Sequence, residues 1–327
     1  MKTVFFILTL LLISTPLKAQ KTVHIQGQLN NLNENELLYV GTEEGLKPLN
    51  ISDDGSFNVE IKTPHLPSFF SIEKVSKRGK VKQVIQRIWF EEDSVIVTIN
   101  LADKTFQIQT KTPHQSISEK IEKQKGRKRL KLIQENINYL PGLYFAEREK
   151  ENFSINNLKA LRKQIDPKHE NLIYVKKLDK YIEAKSRKPI KKGVEIEDFT
   201  LPDSIGENKN ILSINDNLKL IAVLSSGCYF SMKSISFLEK LNESQIKIIS
   251  IWADKSKDTW QNYQSEKKKN ITWLNLWDEY EFATTYLNVK SYPTFFVLDK
   301  NGILTEIIEG YSDKSVEKIN SLVGEER

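Results

Sequence analysis

From about residue 191 onward, short apolar runs alternate with segments of helical spacing. The runs LKLIAVL and IKIISIWAD are apolar at nearly consecutive positions, whereas SISFLEKL between them repeats its apolar residues at helical spacing. Strands of this kind are typical of sheets that helices cover on both faces. A later stretch, PTFFVLDKNGILTEII, contains two strands joined by a turn at residues 299–302. The pattern predicts a partly parallel, three-layer α/β domain over residues 191–327.

Residues 20–113 follow the two-residue period of strands instead. Phe57, Val59 and Ile61 alternate with polar residues in SFNVEIK, and the preceding DDG sequence is a turn signal. The segments VHIQGQL, SFFSIEKV and SVIVTINL continue the series. Short, half-buried strands separated by turns predict an antiparallel, all-β sandwich-like domain.

Residues 114–190 are rich in charge and poor in glycine, and their apolar residues recur at helical spacing. Ser154 is a predicted N-cap for the helix INNLKALRKQI, and Asp166 followed by Pro167 is a second start signal. We interpret this segment as a helical connector that packs on another part of the chain.

Residues 1–19, MKTVFFILTLLLISTPLKA, have the three parts of a secretory signal peptide. Lys2 supplies a positive charge, an apolar stretch follows, and Ala19 is a small residue suited to cleavage. The stretch is shorter than the roughly 20 apolar residues that span a bilayer. We therefore predict an exported protein with no membrane span after signal removal, and retention of the segment as an anchor is the alternative.

The formal net charge is +6, with lysines interleaved among glutamates. The densest basic cluster, residues 125–132, is interpreted as a solvated helix face, so no nucleic-acid partner is expected. Cys228 is the only cysteine of the chain, which excludes an internal disulfide. The thiol is therefore free, paired transiently with another molecule, or buried and inert.

Several motifs of the last domain resemble those of the thioredoxin-like fold, in particular the exported TlpA/ResA-type thiol–disulfide oxidoreductases. They are EDFTLPDSIG, a cysteine between a strand and a helix, IISIWAD, and YLNVKSYPTFFVLDKNGILTEIIEG. The segments GQLNNL, DDGSFNVEI and WFEEDSVIVTI are similar to the β-domain often found before such a domain in Gram-negative envelope proteins. The resemblance implies a location in the periplasm or cell envelope of a Gram-negative bacterium.

The candidate active site departs from the family pattern W-C-x-x-C. Gly227 stands where the family has tryptophan, and Ser231 replaces the second cysteine. The resemblance implies that Cys228 is a nucleophile at a helix N-terminus, where backbone dipoles favour an anion. Ser231 is predicted to hydrogen-bond to this sulfur, but it cannot displace a bound substrate. The Cys-x-x-Ser site therefore predicts mixed-disulfide exchange of the isomerase or monothiol type.

The resemblance further implies that Pro293 follows a cis peptide bond and lies beside the redox cysteine. Tyr292, Pro293 and Thr294 are then the predicted substrate-binding rim, with the backbone of Tyr292 pairing with the substrate chain. A trans proline at the start of an edge strand is the alternative. Tyr292 is bulkier than the residue common at this position in the family, which suggests altered partner choice.

Other chemistry has weaker support in the sequence. Ser225 lies three residues before the cysteine, as a hydroxyl does in peroxiredoxins, but the accompanying proline is missing. The histidines show no metal-ligand spacing, and neither a metal nor another cofactor is expected. Asp254, Asp278 and Asp299 are interpreted as helix caps and turn residues.

We predict an exported thioredoxin-like thiol–disulfide protein whose partners are protein thiols and disulfides of the cell envelope, with an external thiol as a candidate reductant. The first alternative is a catalytically silent thioredoxin-fold binding module. The second is a peroxiredoxin-like antioxidant activity.

Overall fold

The computed structural model describes residues 20–32, 37–43, 45–77, 80–109, 111–212, 218–242, 246–266 and 271–324. The predicted signal peptide, residues 1–19, lies outside them. The chain divides into two compact units, one ending at Gly142 and the other beginning at Leu143. The predicted domain limits after residues 113 and 190 stay predictions.

The first unit contains two four-stranded sheets. Its strands are β1 (Lys21–Asn30), β2 (Leu37–Thr42), β3 (Gly45–Pro48), β4 (Ser56–Thr63), β5 (Ser68–Val75), β6 (Val81–Phe90), β7 (Ser94–Asn100) and β8 (Thr105–Ile108). The sheet orders are β4-β1-β7-β8 and β3-β2-β5-β6. The predicted all-β architecture is confirmed, and the strand pairs are antiparallel except for β1 with β7, which run parallel.

Alternation along these strands builds the core of the first unit. Val23 and Ile25 of β1 and Phe57 and Ile61 of β4 belong to one buried cluster, as the two-residue period requires. Gly55 in the turn before β4 has φ +83°, and a Cβ there would lie 2.4 Å from the carbonyl oxygen of Leu29. The turn therefore requires glycine at this position.

Helices follow the β strands in both units. They are α1 (Pro113–Glu122), α2 (Gly126–Glu135), α3 (Leu140–Arg148), α4 (Ile155–Arg162) and α5 (Ile173–Ser186). The Ser154 hydroxyl accepts a hydrogen bond from the Asn157 N–H at 3.2 Å, which confirms the predicted cap of α4. Asp166 caps only a single 3₁₀ turn, Pro167–His169, because the chain does not continue as a helix until Ile173.

The remaining elements of the second unit form the predicted α/β domain. They are β9 (Thr200–Pro202), β10 (Asn208–Asn210), β11 (Lys219–Leu224), α6 (Tyr229–Leu241), β12 (Lys247–Trp252), α7 (Lys257–Glu266), β13 (Leu274–Trp277), α8 (Phe282–Tyr286), β14 (Thr294–Leu298), β15 (Leu304–Glu309) and α9 (Asp313–Gly324). The central sheet has the order β13-β12-β11-β14-β15. β11, β12 and β13 are parallel, and the hairpin of β14 and β15 is antiparallel. This mixed sheet confirms the predicted thioredoxin-like fold class.

Strand β11 is buried on both faces, as its continuous apolar sequence predicts. Ile221 and Val223 belong to the core that includes residues of α5 and α8. Leu220, Ala222 and Leu224 belong to the opposite core, with residues of α6, α7 and α9. Cys228 therefore follows the C-terminal end of a strand that is fixed by packing on both faces. Within the described residues, each helix is too short or too polar to cross a membrane.

Candidate functional site

Cys228 lies in the short connection between β11 and α6. Its backbone is extended (φ −101°, ψ 116°), it occupies the N-cap position of α6, and its N–H donates to the Ser225 carbonyl at 3.0 Å. The side chain is half-buried. The first turn of a helix presents unpaired backbone N–H groups, which favour negative charge nearby. This position suits a sulfur that carries negative charge while it reacts.

The structure brings Cys228 together with the predicted rim. Its Sγ donates a hydrogen bond to the Tyr292 carbonyl oxygen at 3.2 Å, and the Tyr292–Pro293 peptide bond is cis. Thr294 begins β14 and is buried, with its hydroxyl donating to the Ser291 carbonyl at 2.7 Å. Thus Tyr292 contacts the sulfur, whereas the Thr294 side chain braces the turn before the strand.

Ser231 occupies a different environment from Cys228. It is fully buried, and its Oγ accepts from the Ser225 N–H at 3.3 Å. Among the hydrogen bonds of the described residues, none joins Ser231 to the sulfur of Cys228. In this structure, the Ser231 hydroxyl therefore holds the loop before the cysteine.

Two aromatic residues directly after the cysteine are exposed. Tyr229 is 72% exposed and Phe230 is 51% exposed, and their rings make an edge contact with centroids 5.5 Å apart. Two neighbouring aromatic rings on the surface form an apolar patch that is available to contact another molecule. They lie in the first turn of α6, next to the thiol.

Asp254 is a feature of the site to which we assigned only a cap or turn role from the sequence. Its Oδ1 accepts from the Ser226 N–H at 3.0 Å and from the Ser226 hydroxyl at 2.8 Å. Asp254 is 6% exposed, and its Oδ2 is buried with no hydrogen-bond partner among the described residues. Burial raises the pKa of Asp254, and the hydrogen bonds from Ser226 oppose the rise. The carboxyl group thus fixes the loop that carries the thiol.

A signal for this placement is present in the sequence. β12 runs parallel to β11, with Trp252 opposite Leu224, so Asp254 follows the end of β12 at the edge where the cysteine loop follows β11. Carboxyl ends of neighbouring parallel strands meet at one edge of a sheet. By contrast, Asp278 and Asp299 have the predicted roles: Asp278 accepts from N–H groups of α8, and Asp299 accepts within the β14–β15 turn.

A cleft of about 830 Å³ opens beside the cysteine loop. We call it the Asp254 cleft. Gly227, which precedes the cysteine, and Tyr292, whose carbonyl oxygen contacts the sulfur, line it together with Asp254. Lys150, Glu151 and Lys185 also line it, although they belong to the helical segment before the α/β domain. No local sequence pattern places these three residues near the thiol, because the contact spans more than forty residues of the chain.

The charges of the cleft are partly paired. Lys150 Nζ lies 2.9 Å from Glu281 Oε2, and Lys177 Nζ lies 2.7 Å from Glu281 Oε1. Burial alone would raise the pKa of Glu281, but the hydrogen bond from Lys177 and the charge of Lys150 lower it to about 2. Burial, with the negative charges of Asp278 and Glu281, raises the pKa of Tyr292 to about 12. The Tyr292 hydroxyl is therefore neutral at physiological pH.

Metal chemistry finds no support in the described part of the chain, where no group of three or more His, Cys, Asp or Glu side chains could hold an ion.

Comparison with known proteins gives a likeness of fold. No protein-family profile and no curated protein matches the chain, whereas 277 chains of solved structures do. One is the thioredoxin domain of a thiol–disulfide oxidoreductase from Bacteroides vulgatus, with 15% identity and a TM-score of 0.36 over 41% of this chain and 99% of that chain. Another is a thiol–disulfide oxidoreductase from Bacteroides fragilis, with 20% identity and a TM-score of 0.34 over 39% of this chain and 99% of that chain. A third is the exposed lipoprotein thioredoxin of Streptococcus pneumoniae, with 18% identity, a TM-score of 0.34 and the same coverages.

These matches fall on the C-terminal part of the chain. Two of the three are described as thiol–disulfide oxidoreductases, the class that the motifs of the sequence resemble. Identities of 15–20% do not extend to chemistry, so the function has to follow from the site itself.

Proposed function

We propose that this chain is an exported thioredoxin-like thiol–disulfide protein that acts through the single thiol of Cys228. The observation that carries the proposal is the position of the sulfur. It lies at the N-terminus of α6, half-buried, and 3.2 Å from the carbonyl oxygen of Tyr292. A sulfur sealed in the core could not meet a substrate disulfide, whereas this one is half-buried, and the preceding residue, Gly227, lines a cleft.

The first step forms a mixed disulfide. The Cys228 thiolate attacks one sulfur of a substrate disulfide, a new S–S bond forms, and the substrate's other sulfur leaves as a thiolate. Backbone N–H groups at the start of α6 stabilise the negative charge before the attack. A substrate N–H that bonded to the Tyr292 carbonyl would also displace the present hydrogen bond and release the sulfur for reaction.

The second step needs a thiol that this chain does not contain. Another thiolate of the same substrate attacks the substrate sulfur of the mixed disulfide, a new substrate disulfide forms, and Cys228 leaves as a thiolate. Attack by the departed thiolate only reverses the first step. Two electrons leave and return within the substrate, so the net reaction is disulfide isomerisation. Resolution by an external thiol gives net reduction of the substrate instead. The proposed substrates are thiol and disulfide proteins of the cell envelope, and the export proposal rests on the sequence of residues 1–19.

The test is covalent trapping in the native host. Cells are quenched with acid, free thiols are blocked with N-ethylmaleimide, and adducts of the protein are separated without reductant and identified by mass spectrometry. We expect dithiothreitol-sensitive adducts of the wild type and none with Cys228→Ser. Ser231→Ala is the matched control, because it removes a neighbouring hydroxyl and keeps the nucleophile. Absence of wild-type adducts would reject the proposal.

A silent binding module is the second candidate, and the exposed rings of Tyr229 and Phe230 favour it. Under this alternative, a partner would bind equally well to wild type and Cys228→Ser, and no adduct would form. A double variant, Tyr229→Ser with Phe230→Ser, would abolish that binding.

A further inference from the structure

The Asp254 cleft contains charges of both signs that have no ion-pair partner among the described residues. Lys255 and Lys290 are exposed cations of this kind, and Glu151 is an exposed anion. Lys150 and Glu281 are already paired with each other. The unpaired groups therefore present positive and negative charge to the same volume.

Asp254 adds an observation that points to a ligand. Its Oδ1 is satisfied by Ser226, but its Oδ2 is buried without a hydrogen-bond partner among the described residues. A buried acceptor without a donor costs free energy, and native structures rarely keep one without a reason. A donor group supplied by a ligand in the cleft would satisfy this oxygen. Oδ2 is screened from water, so the donor group of the ligand reaches it only when side chains at the rim of the cleft move.

We propose that the Asp254 cleft binds a small zwitterionic thiol, of the amino-acid or short-peptide class, which resolves the mixed disulfide at Cys228. The ligand's ammonium group bonds to Asp254 and its carboxylate meets Lys255 or Lys290. The volume of about 830 Å³ lies in the range of small-molecule sites. Gly227 and Tyr292 line the cleft next to the sulfur, so a bound thiol lies within reach of it. This inference rests on the proposed function, because it supplies the thiol that the chain lacks.

The reaction balances with two equivalents of the small thiol. The first thiolate attacks the Cys228 sulfur of the mixed disulfide, the bond to the substrate breaks, and the substrate leaves with both its sulfurs reduced. A second thiolate attacks the ligand sulfur now joined to Cys228 and expels the Cys228 thiolate. The small thiol is oxidised to its symmetric disulfide, and the substrate disulfide receives two electrons.

The test measures cleavage of a defined mixed disulfide in the full chain. Cys228 is loaded with thionitrobenzoate, whose release is followed by its colour. Four thiols serve as probes: L-cysteine, cysteamine, 3-mercaptopropionate and 2-mercaptoethanol. They carry both charges, the ammonium only, the carboxylate only, and neither. Each rate constant is divided by that of the same thiol with a small-molecule thionitrobenzoate disulfide, which removes differences in intrinsic reactivity.

We expect the normalised rate of L-cysteine to exceed that of 2-mercaptoethanol about tenfold, as a hydrogen bond between charged groups allows. Asp254→Asn should bring the two within about twofold. This variant keeps an oxygen that can accept from Ser226 and replaces only the unpartnered carboxylate oxygen. Lys255→Gln with Lys290→Gln should remove the smaller advantage of the carboxylate and leave that of the ammonium. Asp53→Asn, in an exposed turn of the first unit, is the matched control and should change nothing.

Three outcomes overturn the inference. Equal normalised rates of the four probes in the wild type would show that the cleft does not select a zwitterion. A preference for L-cysteine that persists in Asp254→Asn would place its recognition elsewhere. Faster cleavage by a reduced protein substrate than by all four probes would make a protein chain the occupant. The proposed function survives each of these outcomes, because it fails only if Cys228 forms no mixed disulfide.

Discussion

Lys150 is predicted to be essential to the stability of the second unit. Its Nζ lies 2.9 Å from Glu147 Oε1 and 2.9 Å from Glu281 Oε2, and it lies 5.5 Å from the centroid of the Tyr181 ring. The side chains of Lys150 and Glu147 are each only 11% exposed. Lys150→Met therefore leaves the carboxylate of Glu147 buried without its cation, while Glu281 keeps Lys177. Breaking a buried pair in this way costs about 3 kcal/mol.

A second variant isolates the buried charge from the lost packing. Glu147→Gln combined with Lys150→Met removes the charge that the single variant strands, so about half of the lost free energy should return. The additivity of the two single changes fails because the residues are in contact. Restoration in the double variant is thus the signature of an ionic cause.

The assay is urea unfolding at pH 7, followed by tryptophan fluorescence. Trp252, Trp260, Trp273 and Trp277 lie in the second unit and Trp89 in the first, so the signal reports mainly on the second unit. The two units are fitted as separate transitions. A loss below about 1 kcal/mol for Lys150→Met, or a double variant no more stable than the single one, would refute this account of the ion pair.

Three further predictions concern other parts of the chain. Because the pKa of Glu281 is lowered to about 2, its ion pairs contribute stability that is complete above about pH 4.5 and is lost as the pH falls towards 2. Partial exposure limits this contribution to about 1 kcal/mol. The difference in stability between wild type and Glu281→Gln should therefore shrink over that pH range, and a constant difference would contradict the assignment. Gly55→Ala should destabilise the first unit by about 2 kcal/mol, because the new Cβ would stand on a residue of positive φ and close to the Leu29 carbonyl oxygen. Circular dichroism during urea unfolding should show this loss in the transition of the first unit, and the tryptophan transition of the second unit should stay unchanged. Ser231→Cys should form a disulfide with Cys228 on mild oxidation and gain dithiol reductase activity towards insulin. Loss of the hydrogen bond from the Ser225 N–H should lower the stability by about 1 kcal/mol. Failure to form the disulfide would show that a side chain at the buried position 231 cannot approach the sulfur.

Local sequence patterns were sufficient to predict most of the second unit's sheet. The nearly continuous apolar runs of β11 and β12 indicate burial on both faces, and Asp299 with Gly302 marks the turn of the β14–β15 hairpin. Ser154 was recognisable as a cap because an N-cap acts on N–H groups only a few residues away. In each case the residues that define the element lie close together in the chain.

The features that the sequence did not reveal depend on contacts between distant residues. The parallel pairing joins β1 to β7, although five other strands lie between them in sequence. Four of those five strands belong to the other sheet. Lys150 and Glu281 are 131 residues apart, and neither has a local pattern that names the other. The unpartnered oxygen of Asp254 is a property of three-dimensional burial, which residue type and spacing do not encode.

The contacts between the helical segment and α8 determine which fragment of the chain can contain Cys228 and still fold. The Arg187 guanidinium lies 4.9 Å from the Phe282 ring centroid and 5.2 Å from that of Tyr286, and Ala184 packs in the same core as both rings. A recombinant fragment that starts at residue 191 would uncover these rings and leave Glu281 without either lysine. A fragment that starts at residue 143 retains every one of these contacts, so of the two fragments it is the one that should resist aggregation and proteolysis.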